Sequence, residues 1–311
     1  MTCVLCQSAV TAVCLDNVAD YITGARFSIR QCSRCGLAAT DPRVADLDRF
    51  YPPGYRRYGG VTAWLLRALY RRRVGQWASR FPLGGSALEV GCGDGWMLAM
   101  LRDHGWRVLG SERSADASRV AADVNGIRVI SGGLDEIPDG ERFDLIILFQ
   151  VLEHLAQPLD MLRRCSALLK PGGLIVVGVP NFASWQARAT GGSWFHLDVP
   201  RHQHHFSPAA LDAALVQSGL RVVRTTWVSP EHDPYGWFQS LMNKAGIEPN
   251  LVTKFLMGMD TGPRPWRAPL LLVVGGVVLV PVSVVLSVAS WMRGAGAIME
   301  KWAMKPPESV A

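Results

Sequence analysis

Five short apolar runs between residues 86 and 180 alternate with amphipathic stretches, and this alternation limits the folds open to the chain. The runs are Ala87–Val90, Arg107–Gly110, Arg128–Ile130, Phe143–Leu148 and Leu174–Val177. Strands with helical patterns between them require parallel βαβ units, so the pattern predicts an α/β fold with a Rossmann-like, doubly wound sheet. Ligands of such sheets bind outside the carboxyl ends of the strands, which is where functional residues are expected.

A glycine-rich segment, Glu89–Gly95, follows the first run and has glycine at positions 91, 93 and 95. These glycines permit a tight turn and let a ligand lie against the backbone. A dinucleotide-binding fingerprint would need glycine at position 96, where Trp96 stands, so the pattern disfavours nicotinamide cofactors. Glu112 follows at the end of the second run, where a carboxylate can accept both ribose hydroxyls. The pattern therefore predicts a ribose-containing ligand without a pyrophosphate.

These segments resemble the class I S-adenosylmethionine-dependent methyltransferases, including the ubiquinone-pathway O-methyltransferase type, over roughly residues 80 to 228. Further matching stretches are Phe143–Ile146, Gln150–His154, Leu169–Gly173 and Val179–Asn181. The resemblance implies that S-adenosylmethionine is held by residues along the strand ends, namely Glu89, Gly91, Cys92, Gly93, Gly95, Glu112, Gly133, Leu134 and Gln150. Many members hold the adenine amine with an acidic residue where this chain has Gly133–Leu134, so backbone groups or Asp135 are expected there.

The family also implies a seven-stranded sheet whose last strand runs antiparallel between its two neighbours. Arg221–Val228 and Ala297–Met304 are the candidates for the last two strands of this sheet.

Histidines concentrate on the side expected to face the methyl acceptor. A hydroxyl acceptor must lose a proton, which a histidine near its ordinary pKa is suited to take, so His154, His202 and His205 are candidate catalytic bases. The alternative is that these side chains hydrogen-bond the loop that covers the cofactor. Quinone-pathway relatives carry a Glu-x-x-Glu-His pattern implicated in Mg²⁺ binding. Gln150 here replaces its first carboxylate, which weakens a Mg²⁺ site at Glu153 and His154.

Four cysteines form two Cys-x-x-Cys pairs near the start of the chain: Cys3, Cys6, Cys32 and Cys35. Two such pairs facing each other complete a four-thiolate shell for a structural Zn²⁺. The alternatives are a redox pair, which would need a βαβ context that is absent here, or a ribbon that has lost its metal. The segment resembles the zinc-binding N-terminal module of bacterial methyltransferases that act on sugars and cell-surface glycoconjugates.

The segment Ala268–Met292 contains 25 residues without a charge, enough for a helix of about 37 Å that could cross a bilayer. It lies between the last two predicted strands, so a single span would place those strands on opposite sides of the membrane. Pro281 divides it, and the sequence therefore predicts a re-entrant membrane hairpin with cytoplasmic basic flanks at Arg264, Arg267 and Arg293. The alternatives are a hairpin buried against a partner subunit, or a single C-terminal anchor if the final strand is misassigned.

The patterns together predict six parts of the chain. They are a zinc ribbon (1–50), a basic amphipathic helical linker (51–85), the S-adenosylmethionine-binding domain (86–228), an insertion with the membrane hairpin (229–295), a final strand (296–305) and a tail (306–311). Charged residues at 19% and hydrophobic residues at 49% of the 311 residues exclude a disordered chain. The net charge of +6 permits attraction to anionic lipid or to nucleic acid.

The predicted function is methyl transfer from S-adenosylmethionine to an oxygen of the acceptor, on the cytoplasmic face of the bacterial inner membrane. The acceptor is expected to be a small molecule or a lipid-linked glycan precursor. Quinone O-methylation and a non-catalytic, membrane-attached cofactor-binding role are the alternatives. Nucleic acid is disfavoured as a partner because Gln150-Val-Leu-Glu153 stands where a base methyltransferase would carry its Asn/Asp-Pro-Pro-Tyr/Phe tetrad. The sequence leaves the oligomeric state open.

Overall fold

A computed structural model describes residues 1–10, 12–51, 60–81, 83–138, 140–259 and 268–307 of the chain. Its centre is a seven-stranded mixed sheet built from β4 (Ser86–Val90), β5 (Arg107–Glu112), β6 (Val129–Ser131), β7 (Phe143–Phe149), β8 (Leu169–Pro180), β10 (Arg221–Thr226) and β11 (Ile298–Met304). The strand order is β10-β11-β8-β7-β4-β5-β6. The predicted Rossmann-like sheet is confirmed, because the five apolar runs and the two candidate last strands all form strands of this sheet.

Helices cover both faces of this sheet. One face packs against α4 (Pro158–Leu168) and α6 (Pro208–Gln217), and the other packs against α1 (Gly60–Ala78), α2 (Trp96–Asp103) and α3 (Ala115–Asp123). The central residues Leu145–Leu148 of β7 are fully buried because both faces of the strand are covered. The carboxyl ends of β4, β5 and β7 therefore meet at one edge, above a rigid core.

The last strand, β11, lies antiparallel between β8 and β10, as predicted. Between β10 and β11 the chain forms α7 (Asp233–Lys244), α8 (Leu251–Leu256) and α9 (Ala268–Met292). Asp233 joins these elements because its carboxylate accepts hydrogen bonds from Trp291 Nε1 at 2.6 Å and from the backbone N–H groups of Ala297 and Ile298. The end of α9 is therefore tied to both the start of α7 and the last strand.

The predicted hairpin is wrong, because α9 is one continuous helix of 25 residues that includes Pro281. A proline within a helix removes one backbone hydrogen bond and introduces a kink, but the remaining bonds of a long helix can continue past it. The predicted basic flanks Arg264 and Arg267 lie outside the described residues, and Arg293 is exposed just beyond the helix.

The N-terminal segment forms a second sheet from β1 (Ala12–Ala19), β2 (Arg26–Gln31), β3 (Ala38–Asp41) and β9 (His204–His205), in that order. The first three strands come from the predicted ribbon, but β9 comes from the segment that follows β8 and also contains α5 (Trp185–Thr190). Arg201, which is fully buried, strengthens the connection, since its guanidinium contacts Asp20 at 2.7 Å and Asp198 at 2.8 Å. The ribbon and the segment after β8 thus form one packed unit.

The predicted basic linker contains α1, whose inner face packs on the sheet through Val74 and Trp77. Its outer face exposes Trp64 and Leu65. The described part of this linker ends at Tyr51 and resumes at Gly60.

Candidate active site

The glycine-rich turn lies at the carboxyl edge of the sheet, between β4 and α2. Gly91, Gly93 and Gly95 all have positive φ, of 68°, 54° and 75°. A Cβ at Gly91 would lie 2.6 Å from Val151 Cγ2, so this position also needs glycine for space. The Gly91 N–H donates to the Ser111 carbonyl at 2.7 Å, which holds the turn against the end of β5. The turn therefore offers backbone to a ligand at a fixed place.

Glu112, the last residue of β5, faces this turn. Its Oε2 accepts a hydrogen bond from the Gly93 N–H at 2.9 Å, and its Oε1 accepts one from the Ser114 N–H at 2.8 Å. A carboxylate has about four lone-pair sites, so each oxygen keeps a site for a further donor. Glu112 is thus held in place and can still accept the hydroxyls of a ribose.

Two buried polar atoms in this region have no hydrogen-bond partner among the described residues: Glu89 Oε2 and Gln150 Nε2. Glu89 is 2% exposed, and burial, together with the nearby Glu112 charge, raises its pKa well above the ordinary value. Gln150 follows β7 directly and has a φ of 58°. Buried polar groups normally have a partner, so these two atoms mark where a polar ligand fits. The amino and hydroxyl groups of S-adenosylmethionine can donate to Glu89 Oε2, and its carboxylate and hydroxyl oxygens can accept from Gln150 Nε2.

The predicted adenine-binding segment follows β6. Leu134 is buried at the start of a short 3₁₀ helix, whereas the side chain of Asp135 is 97% exposed and lies 3.7 Å from Arg164. This placement favours the backbone of Gly133 and Leu134 over Asp135 for the adenine contact. Cys92 packs its buried thiol against Gly110, beneath the turn rather than in its opening.

The predicted bases lie in a loop that we call the covering loop (residues 182–206) and in the turn after β7. His154 Nδ1 is 3.0 Å from the Arg201 carbonyl oxygen, and His202 Nδ1 is 2.9 Å from that of His196. His205 lies in β9, where its Nε2 is 3.0 Å from Thr40 Oγ1, and burial followed by the His204 charge lowers its pKa to about 3. These surroundings favour the alternative in which the histidines hold the covering loop; their catalytic role stays a prediction.

Glu153, His154 and His202 form a cluster whose ligand atoms all lie within 4.8 Å of one another. Both imidazoles direct Nδ1 at a backbone carbonyl, the arrangement that commonly orients a metal-binding histidine. Mg²⁺ prefers a shell of oxygen ligands, and a set of two imidazoles with one carboxylate does not fit it.

The four ribbon cysteines come together as predicted, with Cys3 Sγ 3.4 Å from Cys35 Sγ and Cys6 Sγ 3.5 Å from Cys32 Sγ. All four sulfur atoms lie within 4.8 Å of one another, and none forms a disulfide. A tetrahedral zinc site with Zn–S bonds of ~2.3 Å places its sulfurs ~3.8 Å apart, close to this geometry. Burial raises the pKa of Cys3 and of Cys35, whereas at Cys6 the effect of burial is outweighed by hydrogen bonds from Ser8, which lower the pKa to about 6. The cluster fits Zn²⁺.

Sequence reasoning missed a group of aromatic side chains beside the turn. Tyr70 of α1 has its ring centroid 5.7 Å from those of both Trp96 and Phe149, and His232 packs edge-on to Tyr70 at 6.2 Å. Trp96 begins α2 and Phe149 ends β7, so the group borders Gln150, whose Nε2 has no partner among the described residues. Neither Tyr70 nor His232 belongs to a recognisable motif, and only the fold brings them here.

Residues 63–225 match the family profile described as a methyltransferase domain. The chain is 30% identical over 178 residues to a ubiquinone biosynthesis O-methyltransferase from Cereibacter sphaeroides, covering 53% of this chain and 71% of that protein. It is 27% identical over 192 residues to the enzyme of the same name from Rhodopseudomonas palustris, covering 57% and 71% respectively.

Among solved structures, it is similar to a SAM-dependent methyltransferase from Archaeoglobus fulgidus, with a TM-score of 0.50 and 18% identity over 77% of this chain and 94% of that one. This last similarity supports the fold alone.

Proposed function

This chain belongs to the family of proteins with a methyltransferase domain, and we propose that it methylates a hydroxyl of a membrane-resident acceptor, a lipid-linked or glycan precursor. It is an S-adenosylmethionine-dependent methyltransferase. The proposal adds three points to that activity: oxygen as the methylated atom, the cytoplasmic face of the bacterial inner membrane as its place of action, and Zn²⁺ in the ribbon.

We assign the methyl donor to the carboxyl edge of β4, β5 and β7. S-adenosylmethionine, when bound, supplies an electrophilic methyl group on a sulfonium centre. Glu89 would accept hydrogen bonds from its polar groups, Glu112 would hold the ribose, and Gln150 would border the sulfonium. Because these side chains are fixed by the strands that carry them, the protein mainly contributes alignment of the reacting groups.

The covering loop supplies the second contribution, which is exclusion of water. Trp194, Phe195 and Leu197 are buried, and Trp194 Nε1 donates to Gln186 Oε1 at 2.8 Å. The Phe195 N–H donates to Ser240 Oγ of α7 at 2.9 Å, so the loop is fastened to the inserted helices. A loop held in this way keeps solvent from the reacting groups and strengthens the electrostatic interactions inside.

The membrane proposal depends on one observation: α9 turns its polar side chains toward the protein and its apolar side chains toward the outside. Its serines, Ser283, Ser287 and Ser290, are at most 1% exposed and face the protein. Its valines face outward, and Val277 and Val285 are 72% and 66% exposed. A soluble helix buries its apolar stripe, so an exposed one indicates contact with lipid or with another protein. The window Gly275–Met292 is apolar and long enough to cross a bilayer, yet α7 packs along this helix.

This packing supports a helix that lies in the membrane surface rather than one that spans it. A span would separate α7 and α8 from β11, although α7 contacts α9, and Asp233 of α7 is bonded to the backbone just before and within β11. The outward stripe would enter the acyl region, as in other interfacial helices. The aromatic group containing His232 adjoins Asp233, which is bonded to Trp291 at the end of α9. We therefore place the opening for the acceptor beside this docked end, where it can receive an acceptor from the bilayer.

A quinone precursor is the second candidate acceptor, because the similar proteins above are named ubiquinone biosynthesis O-methyltransferases. It would reach the same opening from the same bilayer. Quinone-type activity would produce a methylated product that lacks sugar, which separates the two candidates chemically.

We propose that the ribbon cysteines bind one structural Zn²⁺. A closed four-thiolate shell has no open position for a substrate, so the metal would hold the fold of the N-terminal segment.

The test combines methyl transfer with membrane binding. The protein is mixed with [methyl-¹⁴C]S-adenosylmethionine and inner-membrane vesicles from a strain that lacks this gene. Label is expected in the lipid extract, and mild acid is expected to release it with a sugar. Label that stays on an aromatic ring would favour the quinone candidate, and a lipid extract without label would refute a membrane acceptor.

Flotation with phosphatidylethanolamine–phosphatidylglycerol vesicles tests α9 directly. The pair Val277→Asp and Val285→Asp is expected to abolish binding, because carboxylates cannot enter the acyl region without a large desolvation cost. Val124→Asp is the matched control, since Val124 is also 72% exposed but lies next to α3, by the opposite edge of the sheet. Equal binding by all variants would refute docking through α9.

A further inference from the structure

We propose that His232 is the general base that takes the proton of the acceptor hydroxyl. The inference rests on the proposed O-methylation and adds the residue that makes it possible. His232 lies in the turn that precedes α7, far in sequence from the predicted bases.

The position of His232 places it at the reacting end of the methyl-donor site. Its ring centroid is 5.8 Å from that of Phe149, the last residue of β7, and Gln150 follows directly. Tyr70 contacts both His232 and Trp96, the first residue after the glycine-rich turn. His232 therefore lies beside the two segments, Gly91–Gly95 and Gln150, that would hold the methionine portion and sulfonium of the donor.

The orientation of the ring is that of a base. His232 Nδ1 is 3.0 Å from Ser229 Oγ and 3.8 Å from Glu231 Oε1, so the tautomer with the proton on Nδ1 points it at these oxygens. Nε2 then carries the lone pair, and it lies 3.4 Å from the Tyr70 hydroxyl. Ser229 Oγ, at hydrogen-bond distance, orients the imidazole, and the Glu231 carboxylate at 3.8 Å stabilises it once it is charged.

Glu231 is kept ionised for this task. The carboxylate of Glu231 and that of Glu300 both pair with the buried guanidinium of Arg73. Burial raises the pKa of Glu231, but the hydrogen bond with His232 and the Arg73 charge outweigh it and lower that pKa to about 2. A negative charge beside Nδ1 therefore persists throughout the neutral pH range and favours the imidazolium that forms when the base takes a proton.

The other charged or titratable groups near this ring come from several elements. Tyr70 and Arg73 face it from α1, His196 has its ring centroid 6.5 Å away in the covering loop, and Asp233 follows it at the start of α7. Arg73 is already paired with two carboxylates.

The histidines of the covering loop are less suited to this role. His196, His202, His204 and His205 are 1–3% exposed, whereas the side chain of His232 is 22% exposed. Burial lowers the pKa of His204 to about 4, which makes it a poor proton acceptor at neutral pH. A base must reach the hydroxyl of an incoming acceptor, and His232 lies at the opening.

The chemical step is a displacement at the methyl carbon. The acceptor hydroxyl takes the place of the Tyr70 hydroxyl as the hydrogen-bond partner of Nε2. Its oxygen forms the bond to the methyl carbon while the carbon–sulfur bond breaks, and that electron pair remains on sulfur to give neutral S-adenosylhomocysteine. The hydroxyl proton passes to Nε2, and the imidazolium beside Glu231 later releases it to water.

The kinetic test measures label transfer to the deletion-strain vesicles between pH 5.5 and 8.5 for wild type, His232→Gln and His104→Gln. His104 is an exposed histidine at the end of α2 and serves as the matched control. His232→Gln is expected to lose about 100-fold or more in kcat, with an unchanged KM for the methyl donor, and to lose the acid limb of the pH profile. A variant that keeps this limb, or more than a third of kcat, would overturn the assignment.

A chemical test separates failure of this assignment from failure of the proposed acceptor. Wild-type protein is treated with diethyl pyrocarbonate with and without S-adenosylmethionine, and modified histidines are counted by mass spectrometry. His232 is expected to react, and to react at least fivefold more slowly with the methyl donor bound, while His104 reacts equally in both samples. An unreactive or unprotected His232 would refute its place at the reacting end. If the vesicles accept no label, the proposed membrane acceptor is wrong. The diethyl pyrocarbonate result then tests, by itself, whether His232 lies at the reacting end of the site.

Discussion

Replacing Glu89 with glutamine should make the protein more stable and its methyl-donor site weaker. Glu89 is 2% exposed, and its Oε2 has no hydrogen-bond partner among the described residues. Burial and the Glu112 charge raise its pKa above the ordinary value. The buried carboxylate therefore lowers the free energy of unfolding of the ligand-free protein. A bound ligand that donates hydrogen bonds to it is expected to offset this loss.

The pH dependence follows from that direction. An acid whose pKa is raised by folding binds its proton more tightly in the folded state, so it lowers stability progressively as the pH rises above its unfolded pKa of about 4.3. Glutamine stays neutral and removes this loss. An unsatisfied buried polar group costs about 1–3 kcal/mol, and more if charged, so Glu89→Gln should gain about 1–3 kcal/mol at pH 7 and nothing near pH 4.

Two measurements check this reasoning. Thermal unfolding without ligand at pH 4.5 and 7.5 should show a gain in Tm only at the higher pH, of about 2–6 °C. Isothermal titration should show S-adenosylmethionine binding weakened by about tenfold or more, since a hydrogen bond to a charged group contributes about 1.5–3 kcal/mol. Asp123→Asn, at an exposed carboxylate at the end of α3, is the control. An equal or lower Tm at pH 7.5, or unchanged affinity, would show that Glu89 is already satisfied.

Two further predictions concern the parts of the chain around the sheet. Asp233→Asn should lower the free energy of unfolding, measured in urea, by about 1–3 kcal/mol. The reason is that an amide N–H₂ would replace one of the oxygens that accept hydrogen bonds from Trp291, Ala297 and Ile298. A variant as stable as the wild type would contradict this prediction. Elemental analysis should find about one zinc per chain, and Cys6→Ser should lower that content and increase protease cleavage of residues 1–41; a fully folded, metal-free wild-type protein would refute the ribbon metal site.

The sheet could be predicted from the sequence because its evidence is local. Five of its strands contain a short apolar run, and Gly91, Gly93 and Glu112 lie at or just beyond the ends of two of these strands. The antiparallel last strand, β11, followed from the family resemblance. The four cysteines were also predictable, since two knuckles of the same spacing have few other uses in a reduced chain.

The remaining features depend on contacts that sequence spacing does not encode. Pro281 indicated a break, but the context of a long apolar helix outweighed the loss of one hydrogen bond. Tyr70 and His232 are 162 residues apart and meet only because α1 and the turn before α7 pack on the same strand ends. The histidines of the covering loop formed the more conspicuous sequence pattern, yet most of them face the interior.

The sheet shared by β1, β2, β3 and β9 has a practical consequence for anyone who shortens this protein. Deleting residues 1–50 would remove β3, the strand that pairs with β9 at His204–His205. It would also remove Asp20, which forms an ion pair with the fully buried Arg201. The S-adenosylmethionine-binding domain is therefore not expected to be stable without the N-terminal segment, although the sequence predicts the zinc ribbon and this domain as separate parts. Shortened versions of this chain should therefore keep the N-terminal sheet, and loss of a metal from the N-terminal cysteines would act through β3 and β9 on the covering loop.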